Sequence, residues 1–208
     1  MRGTNYTLKK HQVDGLKWFL NKELFSGLKG GLLCDEAGMG KTIQMASLIY
    51  AHSVNSTLIV VPVAVLEQWN QAMCSIFGSK KVYVHFRSNR FNDWSGLESA
   101  RLGDTRNIIV LTTYGIATSC KKGRDSLLFN HEWDRVILDE GHIIRNSKTK
   151  HFDKISQLKR THSWILSGTP VQNSHRDISN LFKFIENNCS DRPLSHLLSK
   201  YVLRRTKD

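Results

Sequence analysis

Residues 30–42 read GGLLCDEAGMGKT, and the reading of their last four residues decides the fold. Gly40-Lys41-Thr42 ends like a nucleotide-phosphate loop. The usual signature, G-x-x-x-x-G-K-[ST], asks for glycine where this chain carries Asp35. A phosphate cradle needs inward-pointing backbone N–H groups, small residues where the chain nears the phosphates, and a helix N-terminus behind them. Gly38 and Gly40 supply the small positions, and a helix is predicted from Lys41. Lys41 has the reach for the β and γ phosphates, and the Thr42 hydroxyl can ligate Mg²⁺. None of this chemistry requires glycine at position 35. Taken alone, the stretch also reads as a plain strand-to-helix turn.

The surrounding chain alternates short apolar runs with longer amphipathic ones. Strands are predicted at 30–35, 57–62, 81–86, 107–113, 135–140 and 162–168. Several are continuous β-branched or leucine runs, which suits strands buried on both faces of a parallel sheet. Helices are predicted at 8–22, 41–52, 63–77, 147–159 and 176–187, the first with Leu8, Val13, Leu16 and Phe19 or Leu20 inward. Residues 87–106 and 119–132 read as irregular surface loops. Alternation of this kind predicts an α/β fold: a three-layer domain with a mainly parallel sheet of P-loop type. Ligands of such sheets sit at the carboxyl ends of the strands, and the polar clusters of this chain fall there.

Two further clusters bear on the opening stretch. RVILDEGH (135–142) is an apolar strand ending in two adjacent carboxylates. Asp139 is placed to hold Mg²⁺ through its water shell, and Glu140 to orient and deprotonate an attacking water. WILSGTPVQN (164–173) ends another buried strand, with Ser167 and Thr169 expected to hydrogen-bond the Asp139–Glu140 loop. Each cluster alone has a bland reading, as a solvated loop or a Gly-Pro turn. Three in series on one βαβ chain point to phosphoryl transfer.

Composition narrows the class. A chain of 208 residues with 40% hydrophobic residues and only three prolines fits one folded domain. Thirty Lys+Arg against 18 Asp+Glu give a net charge of +12 and a pI near 9.7, which suits a polyanionic partner, nucleic acid first. Cys34, Cys74, Cys120 and Cys189 form no C-x-x-C pair, so neither a zinc knuckle nor a disulfide framework is expected. The N-terminus lacks an apolar secretory core, and the longest apolar run, LIVVPVAVL, has nine residues including Pro62. The expectation is a soluble intracellular protein with no membrane partner, and chance sequons at Asn5, Asn55 and Asn188.

With these motifs in order, the chain resembles the first RecA-like lobe of a superfamily-two helicase, and within that group the Swi/Snf family of DNA-stimulated ATPases. CDEAGMGKT is similar to that family's motif I, where Asp is usual at the position of Asp35; Ala37 and Met39 replace its commoner Met and Leu. LIVVPVAVLEQW resembles motif Ia, VLTTYG the next, DEGH motif II and LSGTPVQN motif III. WDRVILDEGHIIRNSKTK, SNLFKFI and YVLRRTKD point to the branch of the helicase-like transcription factor, the post-replication repair translocases and the transcription-terminating ATPase.

The resemblance implies ATP and Mg²⁺ as cofactors, with Asp35, Glu36, Ala37, Gly38, Met39, Gly40, Lys41 and Thr42 around the phosphates. It puts the adenine-reading role on Gln12, in YTLKKHQVDGLKWFL, and the coupling role of motif III on Ser167, Gly168 and Thr169. It further implies sequence-independent gripping of a duplex DNA backbone by Pro62, Val63, Thr112, Thr113 and Tyr114. The hydroxyls at that strand end suit phosphate contacts. Apart from the resemblance, six basic residues from Arg145 to Arg160 read either as an extension of the track or as a solvated helix face. Residues 1–208 would form one lobe of a nuclear chromatin-remodelling or repair protein. Its second lobe, which supplies the arginine finger, lies outside this chain; Arg204 and Arg205 are too near the hinge to replace it. Hydrolysis by the chain alone would then be poor. The alternative is a non-catalytic one-lobed module that docks on DNA or on a partner.

Overall fold

The computed structural model describes residues 6–87, 108–119, 127–169, 175–186 and 192–207. All six predicted strands form: β1 (Gly30–Leu33), β2 (Ser56–Val61), β3 (Val82–Val84), β4 (Ile108–Thr113), β5 (Trp133–Leu138) and β6 (Arg160–Leu166). A seventh, β7 (Val202–Leu203), was not foreseen, since two residues carry no periodicity. The order across the sheet is β3-β4-β2-β5-β6-β1-β7, and every pairing is parallel. β1, β2 and β4 are buried along their whole length, as continuous apolar runs require.

Alternation along each strand divides the core into two layers. Leu33, Ile59, Val61, Ile109, Leu111, Ile137 and Trp164 pack against α1 (Lys10–Leu20), α2 (Lys41–Ala51) and α3 (Leu66–Phe77). Leu32, Leu58, Val60, Val110, Val136, Leu138 and Ile165 face the opposite layer. That layer holds α4 (Tyr114–Thr118), α5 (Leu127–Asn130), α6 (Lys150–Ser156), α7 (His175–Ile185) and α8 (Leu194–Tyr201). The predicted loop at 119–132 thus contains the short α5 in its described part. The loop predicted at 87–106 lies outside the described residues except for Arg87, as do Cys120, Cys189, Asn5 and Asn188. Among the described residues, no helix is long and apolar enough to cross a membrane.

The inward face of α1 differs from the predicted one. Its buried residues are Gln12, Gly15 and Phe19, while Val13 is 36% exposed. The innermost line of this helix faces the polar loop after β1, so a polar and a small residue occupy it. Phe19 anchors the helix on the sheet, edge-on to Trp164 at 5.1 Å between ring centroids. Such a contact is worth roughly 0.5–1.5 kcal/mol beyond the area it buries.

α1 runs directly into a π-helical turn, Asn21–Phe25, which delivers Glu23 to the sheet. There its side chain is fully buried against Arg135, itself fully buried within β5. Arg135 Nε and Nη2 donate to the two carboxylate oxygens at 2.8 and 2.5 Å, and Trp164 Nε1 donates at 2.7 Å. His52 Nδ1 lies 2.6 Å from Glu23 Oε2. Burial alone pushes the Glu23 carboxyl up. The Arg135 hydrogen bonds and charge, with help from His162 and Trp164, overcome that and bring it down to about 2. A carboxyl lowered in the fold stabilises it above its unfolded pKa and loses that contribution as the pH falls toward the folded value. Glu23 should therefore contribute fully above pH 4.5 and progressively less toward pH 2. Glu23→Ala leaves Arg135 buried without its partner and should cost about 3–5 kcal/mol in denaturant unfolding at pH 7. That cost should shrink in the acid range.

Candidate active site

Three strand tips stand side by side: β5, β6 and β1, with Leu138 beside Ile165 and Leu166 beside Leu33. The turns leaving them are stitched to their neighbours. Ser167 N–H donates to Leu33 O at 3.0 Å, and Asp139 N–H donates to Val60 O at 2.9 Å. The motifs that are far apart in the chain meet here because the sheet is parallel.

The turn after β1 has the backbone a phosphate cradle needs. Gly38 and Gly40 have φ of +82° and +76°, a region that side chains rarely enter, and Gly40 is the N-cap of α2. A Cβ on Gly40 would stand 2.4 Å from Gln12 Nε2, so Gln12 lies against the loop. Its amide bridges α1 and the loop, accepting from Lys9 N–H at 3.0 Å and donating to Met39 O at 3.3 Å. Lys41 Nζ donates to Asp35 O at 2.8 Å and to Glu36 O at 3.3 Å. Asp35 is fully buried, whereas Ala37 and Gly38 are exposed. Burial pushes the Cys34 thiol up to about 12, so it is inert chemically.

The acidic pair after β5 has unequal surroundings. Asp139 accepts from Trp69 Nε1 at 2.7 Å and from the Glu140 N–H at 3.0 Å. Burial pushes its carboxyl above the usual range against the pull of the Trp69 bond, and the Glu140 charge adds to the push. Glu140 has φ +49° and ψ +47°, a left-handed conformation uncommon outside glycine, and its side chain is 40% exposed. His142 Nδ1 lies 3.1 Å from Glu140 Oε2, near enough for charge contact but not aligned as a hydrogen bond. Trp69 carried no signal in the sequence, because a tryptophan at a core position of α3 reads as packing, whereas His142 lies in the DEGH stretch without a predicted role.

The segment after β6 closes the cluster. A Cβ on Gly168 would lie 3.8 Å from Lys41 Nζ, which places this turn beside the phosphate loop. Ser167 Oγ accepts from Thr169 N–H at 3.3 Å, within its own turn and not from the Asp139–Glu140 loop as expected. Ser167 is fully buried, so its short side chain serves its own turn. Residues 170–173 of the predicted motif lie outside the described residues.

The hydroxyls expected to face phosphates after β4 are turned inward. Thr112 Oγ1 donates to His85 O at 3.0 Å, Thr113 Oγ1 accepts from Ile116 N–H at 3.4 Å, and Tyr114 OH donates to Asp139 O at 2.8 Å. All three residues are buried, since β4 lies inside the sheet; the exposed position of this turn is Gly115. Pro62 is half-buried and Val63 is 57% exposed. Arg160 also leaves the predicted basic track. Its guanidinium donates to Ser163 Oγ and to the carbonyls of Ser156, Leu158 and Phe184, and burial lowers its pKa to about 10. Lys148 and Lys150 remain exposed.

A cavity of about 540 Å³ opens between the start of α1 (Lys9, His11), the loop (Gly38, Met39) and the C-terminal segment Arg205–Lys207. A larger one, about 660 Å³, lies at the opposite end of β1 and β6, between Lys29 and Arg160, away from all three motifs. The smaller cavity has the chemistry, because the phosphate loop forms its wall. No group of three or more His, Cys, Asp or Glu among the described residues could hold a metal ion by itself. The oxygen donors expected here, the Thr42 hydroxyl and the Asp139 carboxylate, are of the hard type that Mg²⁺ takes.

A parallel three-layer domain with a phosphate loop after one inner strand and an acidic pair after another is a RecA-like lobe of the P-loop type. The chain belongs to the SNF2-related domain family, whose model matches residues 11–191. It is 35% identical over 204 residues to an uncharacterized ATP-dependent helicase of Schizosaccharomyces pombe, covering 86% of this chain and 19% of that protein. It is 33% identical over 196 residues to the DNA repair protein rad5 of Aspergillus fumigatus, covering 76% of this chain and 16% of that one. The chain thus spans less than a fifth of the length of these relatives. The fold matches the Sulfolobus solfataricus SWI2/SNF2 ATPase core in complex with dsDNA. That match has a TM-score of 0.76 and 24% identity, and covers 100% of this chain and 46% of that one.

The raised Asp139 carboxyl has a measurable consequence. A carboxyl raised in the fold destabilises it whenever ionised, so the neutral form favours folding at lower pH. Asp139→Asn removes the charge and keeps an oxygen for Trp69, while its amide NH₂ faces the Glu140 N–H from which the second carboxylate oxygen accepted. Its melting temperature relative to the wild type should therefore fall as the pH is lowered and the wild type takes up its proton.

Proposed function

We propose that residues 1–208 form the first RecA-like lobe of a Swi/Snf-type, DNA-dependent ATPase. The observation that carries this reading is the convergence of Lys41, Gly168 and the Asp139–Glu140 pair on one edge of the sheet. The phosphates of ATP would lie over the backbone of Asp35, Glu36, Ala37, Gly38, Met39 and Gly40, with Lys41 Nζ turning from its carbonyl partners to the β and γ oxygens. Adenine would sit in the cavity beside Gln12. Mg²⁺, held by the Thr42 hydroxyl and through water by Asp139, would neutralise charge on those oxygens when bound. Trp69 fixes the Asp139 carboxylate, which is the positioning that such an anchor needs.

Glu140 is the general base. Its carboxylate, 40% exposed, accepts the proton of the attacking water. Ser167, Gly168 and Thr169 would sense the γ-phosphate through the closeness of Gly168 to Lys41. The arginine that closes on the developing charge would come from a second lobe.

The partner of this lobe would be the backbone of duplex DNA. The net charge of +12 supports this, as does a solved relative described with dsDNA. Pro62 and Val63, the turn Thr112–Tyr114 through its exposed neighbour Gly115, and Lys148 and Lys150 would make the contact. Relatives named for DNA repair, and one named for chromatin remodelling, support a nuclear protein working on chromatin.

Lys41→Ala should weaken ATP·Mg²⁺ binding about tenfold or more by calorimetry, since it deletes a charge-assisted contact; equal affinity would overturn the assignment. In a protein carrying both lobes, Glu140→Gln should abolish DNA-stimulated hydrolysis while nucleotide stays bound. DNA affinity should be insensitive to sequence and fall steeply with salt. Lys150→Ala should reduce the slope of log affinity against log salt by about one, and an unchanged slope would remove α6 from the track.

A further inference from the structure

We propose that Arg205 is a positioning residue for the nucleotide, acting through Asp35 to set the shape of the phosphate loop. The proposal rests on the nucleotide reading above, and it gives a reason for the aspartate that stands where a glycine is usual. Asp35 does not face the cradle. Its side chain is fully buried, and Arg205 Nε and Nη2 donate to its two oxygens at 3.0 and 2.5 Å. Gln44 Nε2 donates to the same carboxylate at 2.9 Å and to Met39 O at 3.4 Å.

The guanidinium uses all three of its nitrogens. Nη2 also donates to Gln44 Oε1 at 2.7 Å, and Nη1 donates to His11 O. One side chain thus ties together the helix that carries Gln12, the loop, and the helix that begins at Lys41. The backbone repeats the attachment. Cys34 N–H donates to Leu203 O at 2.7 Å, Glu36 N–H to Arg205 O at 3.2 Å, and Lys207 N–H to Glu36 Oε2 at 3.1 Å. Gly15 makes room for the arrangement, because a Cβ there would stand 2.3 Å from Gln44 Oε1 and 3.0 Å from Arg205 Nη2.

A planar, two-pronged donor fixes direction as well as distance, which a lysine cannot do. Buried ion pairs contribute little net stability compared with apolar residues of the same volume. What this pair supplies is a fixed course for the loop that follows Glu36, on which the orientation of a phosphate cradle's N–H groups depends.

The test separates positioning from stability in the 208-residue chain. Affinity for ATP·Mg²⁺ and the melting temperature without nucleotide are measured for wild type, Arg205→Lys, Gly15→Ala and the double variant Asp35→Leu/Arg205→Met. Arg205→Lys keeps the charge and the fold but loses the fork, and should bind about tenfold more weakly, as a misplaced cradle does. Gly15→Ala displaces the guanidinium without altering a charge and should weaken binding likewise. The double variant leaves no unpaired charge and should still bind weakly at temperatures well below its own melting temperature. Wild-type affinity in either Arg205→Lys or the double variant would overturn the proposal and reduce the pair to a structural contact. If the wild-type chain itself binds no nucleotide, the nucleotide reading fails, a result distinct from any difference among the variants.

Discussion

Every strand pairing among the described residues is parallel, and the rest of the molecule follows from that constraint. Parallel neighbours cannot be joined by tight turns, so the chain must return to the amino end of the sheet before each new strand begins. All carboxyl ends then fall on one edge. The loops that leave that edge have unpaired backbone groups, and they satisfy them on the neighbouring strand, as Ser167 does on Leu33 and Asp139 on Val60. The phosphate loop, the acidic pair and the turn after β6 are held at a common level by the same ladder that builds the core.

Two buried ion pairs do different work in this frame. Glu23 with Arg135 joins the π-helical turn after α1 to the middle of the sheet, and Trp164 and His52 add contacts to the Glu23 carboxylate. It fixes how the first helix leaves the sheet. Asp35 with Arg205 sits at the other end of the same helix and fixes how the loop leaves β1. Between them, α1 is pinned at both ends, and Gln12 is presented to the loop at a set distance.

Much of this was legible in the sequence. Unbroken apolar runs such as TLIVV and NIIVL predicted six strands, because burial on both faces removes the need for alternation. The three polar clusters were placed correctly, since strand ends in such a sheet are where polar residues belong. What escaped the reading was pairwise and distant. Nothing in LRRTKD says that its second arginine meets the aspartate of CDEAGMGKT, and nothing in α3 says that Trp69 faces a carboxylate. Arg135 did carry a signal: an arginine inside an apolar strand needs a buried partner. Thr112, Thr113 and Tyr114 misled for the opposite reason. Hydroxyls at a strand end suit phosphate, but here the backbone and Asp139 reach them first.

The position of β1 bears on how the molecule assembles. The first strand in the chain lies sixth in the sheet, flanked by β6 and β7, so neither of its partners exists until most of the sequence is available. Arg205 reaches Asp35 across a separation of 170 residues. Closing such distances before any contact rewards them makes this edge slow to form. During synthesis from the N-terminus, β2, β4 and β5 can pair while β1 and its loop wait with both edges unpaired. The part of this lobe that is made first is the part that matures last.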